Sequence, residues 1–406
     1  MRSAYSYFYF SKKQKWLYLT KLKFGYIYYL KKRWNLVDGT WEDYGIESFE
    51  NILEKRKINQ FTDLPIVTHF FYELGSYWLN EKVTQASILA IDLEYQEHDW
   101  KDVYSDDVDK KENNFKIDFR LIKSPNFEDY KKNIEQIIFE IRLGKYYQCN
   151  YTDSYVYKTN GAKVDFEKIF LRKKSMLSGH AQYSYIPFPD PRDDRCYFSN
   201  SPETLFVIKK NELNYELQSI PIKGTVKLKD FGNDIALAKY DLKNCSKNQA
   251  ELFMIADLVR NDLNKIEDGL AKIVKKKMFF KVPLILHQAS LITLKLSGEN
   301  NLLKIMKALF PGGSITGAPK KSSFMHLKKL EKMRWRGFYC GSTLLHFKEI
   351  KSCSINIRTL EYFPRKNRCT FYAGGGITML SKAKEEYREM ELKQLSLIGL
   401  WRRDTK

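Results

Sequence analysis

Two periodicities share this chain. In some stretches apolar residues recur every three to four positions, the spacing of an amphipathic helix; in others they alternate, the spacing of a half-buried strand. The helical spacing is clearest at 126–144, NFEDYKKNIEQIIFEIRLG. There Tyr130, Ile134, Ile137 and Ile138 fall on one face and Gly144 offers a stop. It recurs near WEDYGIESFENILEKRK, in SKNQAELFMIADLVRNDLNKI, in NLLKIMKALFPGG ahead of its Pro-Gly-Gly, in KKSSFMHLKKLEKM, and in the closing AKEEYREMELKQLSLIGL. Strand spacing runs through YYQCNYTDSYVYKT. It also runs through RCYFSNSPETLFVIKKNELNYELQSIPIKGT as three strands with two turns, and through RGFYCGSTLLHFKE, SCSINIRTLEYF and RCTFYAGGGIT, each as one strand. The aromatic, basic N-terminus reads as early strands, and the charged SDDVDKKENN (105–114) as a surface loop. Hairpin-like groups of strands between separated helices point to an α+β fold with antiparallel sheets.

Composition narrows the class. The 406 residues are 43% hydrophobic and 15% aromatic, a globular balance with enough chain for a large core. No apolar run reaches the roughly 18 residues of a membrane span, and no signal peptide is recognisable. Six cysteines stand singly, without C-x-x-C pairs, which suggests neither zinc nor a disulfide framework and fits the reduced cytoplasm. The net charge of +20 raises the question of a nucleic-acid partner. Yet the lysines are scattered, and no zinc-finger, RNP-type or basic-zipper pattern accompanies them. A lysine-rich surface accounts for the charge, and it would help to draw in a small anion.

Chemistry-bearing residues admit two readings each. Glu386 and Glu389 share a helix face with Lys393, and Glu251 lies on another helix. They are either solvated helix faces or a magnesium site, since that ion takes few carboxylates and lets an anionic ligand complete its shell. FPGGSITGAPK and AGGGIT are either turns or places of close backbone approach. Arg358, inside an apolar strand pattern, wants a carboxylate from the protein or from a ligand. Glu203, after a Ser-Pro turn, and Lys223, in PIKGT, are either an ordinary ion pair or an acid and a nucleophile. Partial burial would hold the proton on the first and loosen it from the second.

Taken in order, YYQCNYT, SPE, PIKGT, AELFMIADLVRNDL, LFPGGSITGAPK, RGFYCGS, INIRT and AGGGI…EEYREMELK resemble the chorismate-utilising enzymes across about 127–400. The resemblance implies two packed antiparallel sheets with helices outside. It implies residues 1–125 as a divergent N-terminal part of that fold and 126–406 as the chorismate-binding catalytic region. It implies chorismate as substrate and Mg²⁺ as cofactor. Glu251 and Glu389 resemble the metal ligands, with Glu386 behind them. Tyr339, Arg358, Gly374, Gly376 and Lys393 resemble the cradle for the enolpyruvyl carboxylate. Gly224 and Thr225 border the ring, His287 matches a histidine near it, and Glu203 resembles the acid that helps the C4 hydroxyl leave.

Two positions sort the members. Isochorismate and salicylate synthases carry a water-activating lysine where this chain has Gln148, whose amide cannot serve as a base. Lys223 stands where most members have alanine, and matches the aminodeoxychorismate synthases. The expected activity is therefore conversion of chorismate and ammonia to 4-amino-4-deoxychorismate, on the route to p-aminobenzoate and folate. The chain shows no G-x-C-x-G glutaminase motif, so ammonia is expected from a separate glutamine amidotransferase subunit. An anthranilate synthase large subunit is the near alternative, and a basic non-enzymatic binding protein the distant one. Departures are Asn248, where an acidic residue is common, Ser352 and Ser354 in place of Asp and Asn, and no LLES stretch for tryptophan.

Overall fold

The computed structural model describes residues 3–102, 117–172, 176–211, 214–267, 270–282, 285–331 and 335–401; the expected loop at 105–114 lies outside them. The chain runs β1 (Tyr5–Phe10), β2 (Lys15–Tyr28), β3 (Arg33–Asn35), β4 (Thr40–Glu42), α1 (Ile46–Lys55), β5 (Ile66–Phe70), α2 (Tyr72–Trp78) and β6 (Ala90–Asp102). It continues through β7 (Phe119–Lys123), α3 (Phe127–Arg142), β8 (Gln148–Thr159), α4 (Lys163–Arg172), β9 (His180–Ile186), β10 (Arg195–Ser201), β11 (Thr204–Lys210), β12 (Tyr215–Ile220) and β13 (Ile222–Lys227). Then come α5 (Ile235–Asn244), α6 (Ser246–Asn264), β14 (Lys272–Val282), β15 (Ile285–Leu296), α7 (Leu302–Leu309), α8 (Gly313–Thr316), β16 (Gly317–Ala318) and α9 (Lys320–Leu330). The last elements are β17 (Ser342–Phe347), β18 (Ile350–Ile355), β19 (Thr359–Phe363), β20 (Arg368–Ile377) and α10 (Ala383–Ile398).

The α+β class is the expected one. The sheet halves are joined in one antiparallel network, ordered β14–β15–β12–β11–β18–β17–β5–β6–β2–β1–β9–β10–β19–β20–β8. Helix α3 starts where Asn126 accepts from the amides of Glu128 and Asp129, and ends before Gly144, at φ +75°. Tyr130, Ile134 and Ile137 are its buried face. Helix α10 packs on β20 and α3, while α6 packs on β13 and β15. Helices α2, α4, α5 and the short α8 are not legible in the apolar spacing.

One corner positions everything that follows. Strands β10 and β11 pair with β19 and β18 respectively, so two consecutive strands face two consecutive strands. The ribbon bends at 202–203 on one side and 356–358 on the other. Pro202 has no N–H to give the ladder, and Ser201 Oγ accepts the Glu203 amide instead. Opposite, Arg358 takes φ +52°, left-handed for a residue other than glycine. SCSINIRTLEYF is therefore two strands rather than one, and Arg358 sits in the break. RGFYCGSTLLHFKE is likewise a strand only from Ser342; its first part is a turn.

That turn is anchored by Glu73, whose Oε1 accepts the amides of Arg336 at 2.9 Å and Gly337 at 3.1 Å. Burial, with Glu361 nearby, pushes the Glu73 carboxyl up to about 7 despite those amides. A carboxyl raised by folding contributes stability that is intact below its unfolded value near 4.5 and lost as pH rises through about 7. Glu73→Gln is expected to unfold like the parent at pH 4 and to be more stable by roughly 1–3 kcal/mol at pH 8. Urea unfolding at the two pH values checks this; a variant no more stable at pH 8 refutes it.

Candidate functional site

Lys223 owes its place to an irregularity. Strand β13 pairs with β15 through Ile222↔Ala289 and Thr225↔His287, and the register slips between them. A bulge there re-aims the side chain beside it. Gly224, at φ +90°, supplies the backbone conformation that other residues resist. Lys223 is half-buried and Thr225 is exposed.

Glu203, at the corner, is buried and its Oε1 has no hydrogen-bond partner. Burial raises the carboxyl above the usual range; the Ser314 hydroxyl, Lys223 and the Ile222 amide pull the other way. Glu203 and Lys223 are thus neighbours, yet among the described residues neither closes a salt bridge. An ordinary ion pair is not what the corner holds.

The glycines at 374–376 answer to close approach rather than to a turn. They lie within β20, paired with β8 as Gly374↔Thr152, Gly375↔Tyr151 and Gly376↔Asn150. A Cβ on Gly374 would stand 2.2 Å from Tyr151 O. One on Gly376 would stand 2.3 Å from Gln148 Nε2 and 3.2 Å from Lys223 Nζ, so amide and amine crowd the same Cα. Gln148 is fully buried and neither of its amide atoms has a partner. Such a group costs free energy unless something else hydrogen-bonds it.

His287 and Arg358 adjoin this. His287 Nδ1 hydrogen-bonds Thr225 Oγ1 at 2.8 Å, and Nε2 has no partner. Burial, reinforced by Arg358, pushes the imidazole down to about 4. Arg358 itself is lowered by burial and pairs with no carboxylate among the described residues. Tyr339 is buried and stacks on Tyr372 at 5.4 Å.

The carboxylates stand in two places. Lys393 Nζ donates to Gly374 O at 2.8 Å and pairs with Glu389 Oε1 at 2.8 Å. Glu386 Oε1 accepts Ser381 Oγ at 2.7 Å, and its Oε2 lies 3.3 Å from where a Gly375 Cβ would be. Glu251 lies on α6, one turn beyond Asn248, whose Cβ is 3.5 Å from where a Gly224 Cβ would be. Among the described residues no group of three or more His, Cys, Asp or Glu side chains converges for a metal. The donors are all carboxylates, the chemistry of a hard cation that keeps other ligands.

The geometry therefore joins Glu203, Lys223, Gln148 and Gly376; Thr225, His287 and Arg358; and Gly374, Glu386, Glu389 and Lys393. Sequence reading missed Ser314 and Tyr372; SITGAP was weighed for its glycines, not its hydroxyls. A cavity of about 280 Å³ opens elsewhere, between the ends of β1, β9, β17 and β18, and touches none of these groups.

One corner of this α+β fold thus brings together a buried carboxyl, an amine and an arginine that pairs with no carboxylate among the described residues. The chain belongs to the family described as chorismate binding enzyme, whose profile matches residues 47–399. It is 31% identical over 266 residues to aminodeoxychorismate synthase component 1 of Klebsiella aerogenes, covering 64% of this chain and 55% of that one. It is 29% identical over 286 residues to anthranilate synthase component 1 of Saccharolobus solfataricus, covering 70% and 64%. The match spans about half the length of the first of these. Anthranilate synthase component I of Streptococcus pneumoniae TIGR4 superposes with a TM-score of 0.72 at 20% identity, covering 94% and 91%. The menaquinone-specific isochorismate synthase of Escherichia coli superposes with 0.72 at 13%, covering 99% and 89%. The fold is thus shared by proteins named for different chemistries.

An imidazole held near 4 stays neutral from about pH 5 to 8. Because folding lowers it, the fold loses stability as pH falls from about 6.5 through 4. Nitrogen-15 spectra, assigned with His287→Gln, are expected to show no protonation of this ring above pH 5; a midpoint near 6.5 overturns the placement.

Proposed function

We propose that this chain aminates chorismate at C4, making 4-amino-4-deoxychorismate through a covalent adduct on Lys223. The observation that carries the reading is the Lys223 amine, aimed by a bulge, next to a buried Glu203 with which it forms no salt bridge. Arg358, Lys393 and the amides around Gly374–Gly376 would receive the substrate's carboxylates. The Lys223 Nζ lone pair forms a bond to C2; the ring double bonds shift; the C4–O bond breaks as Glu203 gives its proton, and water leaves. Ammonia then bonds to C4, the double bonds shift back, and the C2–N bond breaks to return the lysine amine. The C4 ammonium passes one proton to the Glu203 carboxylate, which restores the acid.

The Gln148 amide supports this choice of nucleophile, since it can accept an N–H but cannot deprotonate water. Glu251 and Glu389, with Glu386 behind, would hold Mg²⁺. When bound, that ion anchors and polarises the ring carboxylate. Ammonia would come from a separate glutamine amidotransferase. The Klebsiella relative's name supports the reading.

Purified chain with chorismate, Mg²⁺ and ammonium is expected to yield 4-amino-4-deoxychorismate, read by mass; anthranilate, read by fluorescence, would sink the assignment. Glu203→Gln is expected to slow turnover roughly 10²–10⁴-fold. Lys223→Ala is expected to abolish the adduct mass on residue 223 and sharply cut C4 amination. An alanine variant making the same product at the parent rate rules out the nucleophile.

A further inference from the structure

The stretch FPGGSITGAPK is held more firmly than a connecting turn needs to be. A Cβ on Gly312 would stand 2.8 Å from Ile355 Cδ1, and one on Gly313 would stand 2.4 Å from Leu258 Cδ2. One on Gly317, at φ +143°, would stand 2.2 Å from Gln148 O. Thus β18, α6 and β8 press on the loop from three sides. Ile315 O accepts from Arg336 Nη1 at 2.8 Å and Asn150 Nδ2 at 3.1 Å. Thr316 Oγ1 donates to Gly312 O at 2.9 Å, and β16 pairs with the first residues of β8. At the far end Lys320 is tied to Asp262 at 2.7 Å and to the carbonyls of Ala308 and Leu309.

Inside this clamp Ser314 is buried, and its hydroxyl has no hydrogen-bond partner of ordinary geometry. The group it stands against is the Glu203 carboxyl, which itself leaves an oxygen unpartnered. Both residues line one small cavity beside Ser219 and Asp262. Such immobilisation of a loop suits delivery of one hydroxyl to one place.

We propose that Ser314 is a positioning residue for proton transfer at C4, its hydroxyl orienting the Glu203 carboxyl toward the leaving oxygen; this rests on the acid role proposed above for Glu203. Ser314 touches no reacting atom. It acts by removing the carboxyl's freedom to rotate and by favouring the ionised product of the transfer.

The test uses the whole chain and two readouts. In turnover, Ser314→Ala is expected to lower kcat roughly ten- to a hundredfold with KM unchanged, the size of one hydrogen bond to a charged group. It is also expected to move the basic limb of the pH profile to higher pH, and Ser314→Thr to restore both. In the absence of substrate, infrared titration of the carboxyl band missing from Glu203→Gln is expected to show the midpoint moving up in Ser314→Ala. An unmoved midpoint, or an alanine variant with the parent's kcat and profile, overturns the role of Ser314. A parent chain that leaves chorismate untouched while the infrared midpoint still moves instead sinks the reading of the function and leaves the Ser314–Glu203 contact standing.

Discussion

The site depends on a bend in a pair of strands. Where β10–β11 and β19–β18 change direction together, the ladder must break on both sides, and backbone groups that would have paired are free to point elsewhere. Pro202 enforces the break on one side without using any side-chain chemistry. On the other, the left-handed backbone at Arg358 is a strained state that persists only where its surroundings over-determine it. Asn200 N reaches Arg358 O at 3.0 Å and Ile355 N reaches Glu203 O at 3.1 Å, so each side of the bend is tied to the other. The acid and the guanidinium are therefore placed by the same backbone event. Neither can move without disturbing the other.

How much of this was legible in the sequence follows from what each signal measures. Alternation reports burial on one face, and it found β8, β10, β11 and β12 well. It could not find the break at Arg358, because nothing in INIRT marks a positive φ: no glycine or asparagine stands at that residue. Helical spacing reports a one-sided apolar face and so found α3, α6 and α10. It missed α2, whose Tyr72, Glu73, Leu74, Gly75 and Ser76 are buried in succession and show no polar face. At the site, motif resemblance pointed to Glu203, Lys223 and the glycines, and it read Gly374 and Gly376 as part of a cradle for a ligand's carboxylate. The space around Gly376 shows a different cause, the presence of two side chains from other strands where a Cβ would go. Only a structure holds that information, since Gln148 and Lys223 are far from residue 376 in the chain.

The departures from the family pattern read differently in three dimensions. Ser354 Oγ donates to Asn356 Oδ1 at 3.2 Å and accepts from Gln182 Nε2 at 3.3 Å, directly behind the corner. Thr343 Oγ1 also reaches Asn356 Oδ1, at 3.1 Å. A shorter side chain at position 354 thus still contributes polar support to the bend, through a network instead of a single long side chain. The lysines of β14 have a separate explanation. Among the described residues β14 pairs only with β15, and charged side chains on such an edge oppose pairing with another chain.

Two part-buried lysines are held in different ways. Lys320 is desolvated, and burial lowers it while Asp262 pulls the other way. Its ammonium meets a carboxylate at 2.7 Å and two carbonyl oxygens, so its donors are used and its geometry is closed. Removing a partner from such an arrangement would leave a buried charge unpaired, which is why it serves as a clamp. Lys223 is held in the opposite condition. A bulge aims it, a glycine makes room beside it, an acid stands near without closing on it, and the amide opposite is itself unsatisfied. A fold selected for stability alone would have let these groups satisfy one another, because each unpaired polar group in the interior is destabilising. Their being held apart supports the proposed reading of a space kept for a ligand with its own donors and acceptors, and Arg358, with no carboxylate partner among the described residues, supports an anion as that ligand.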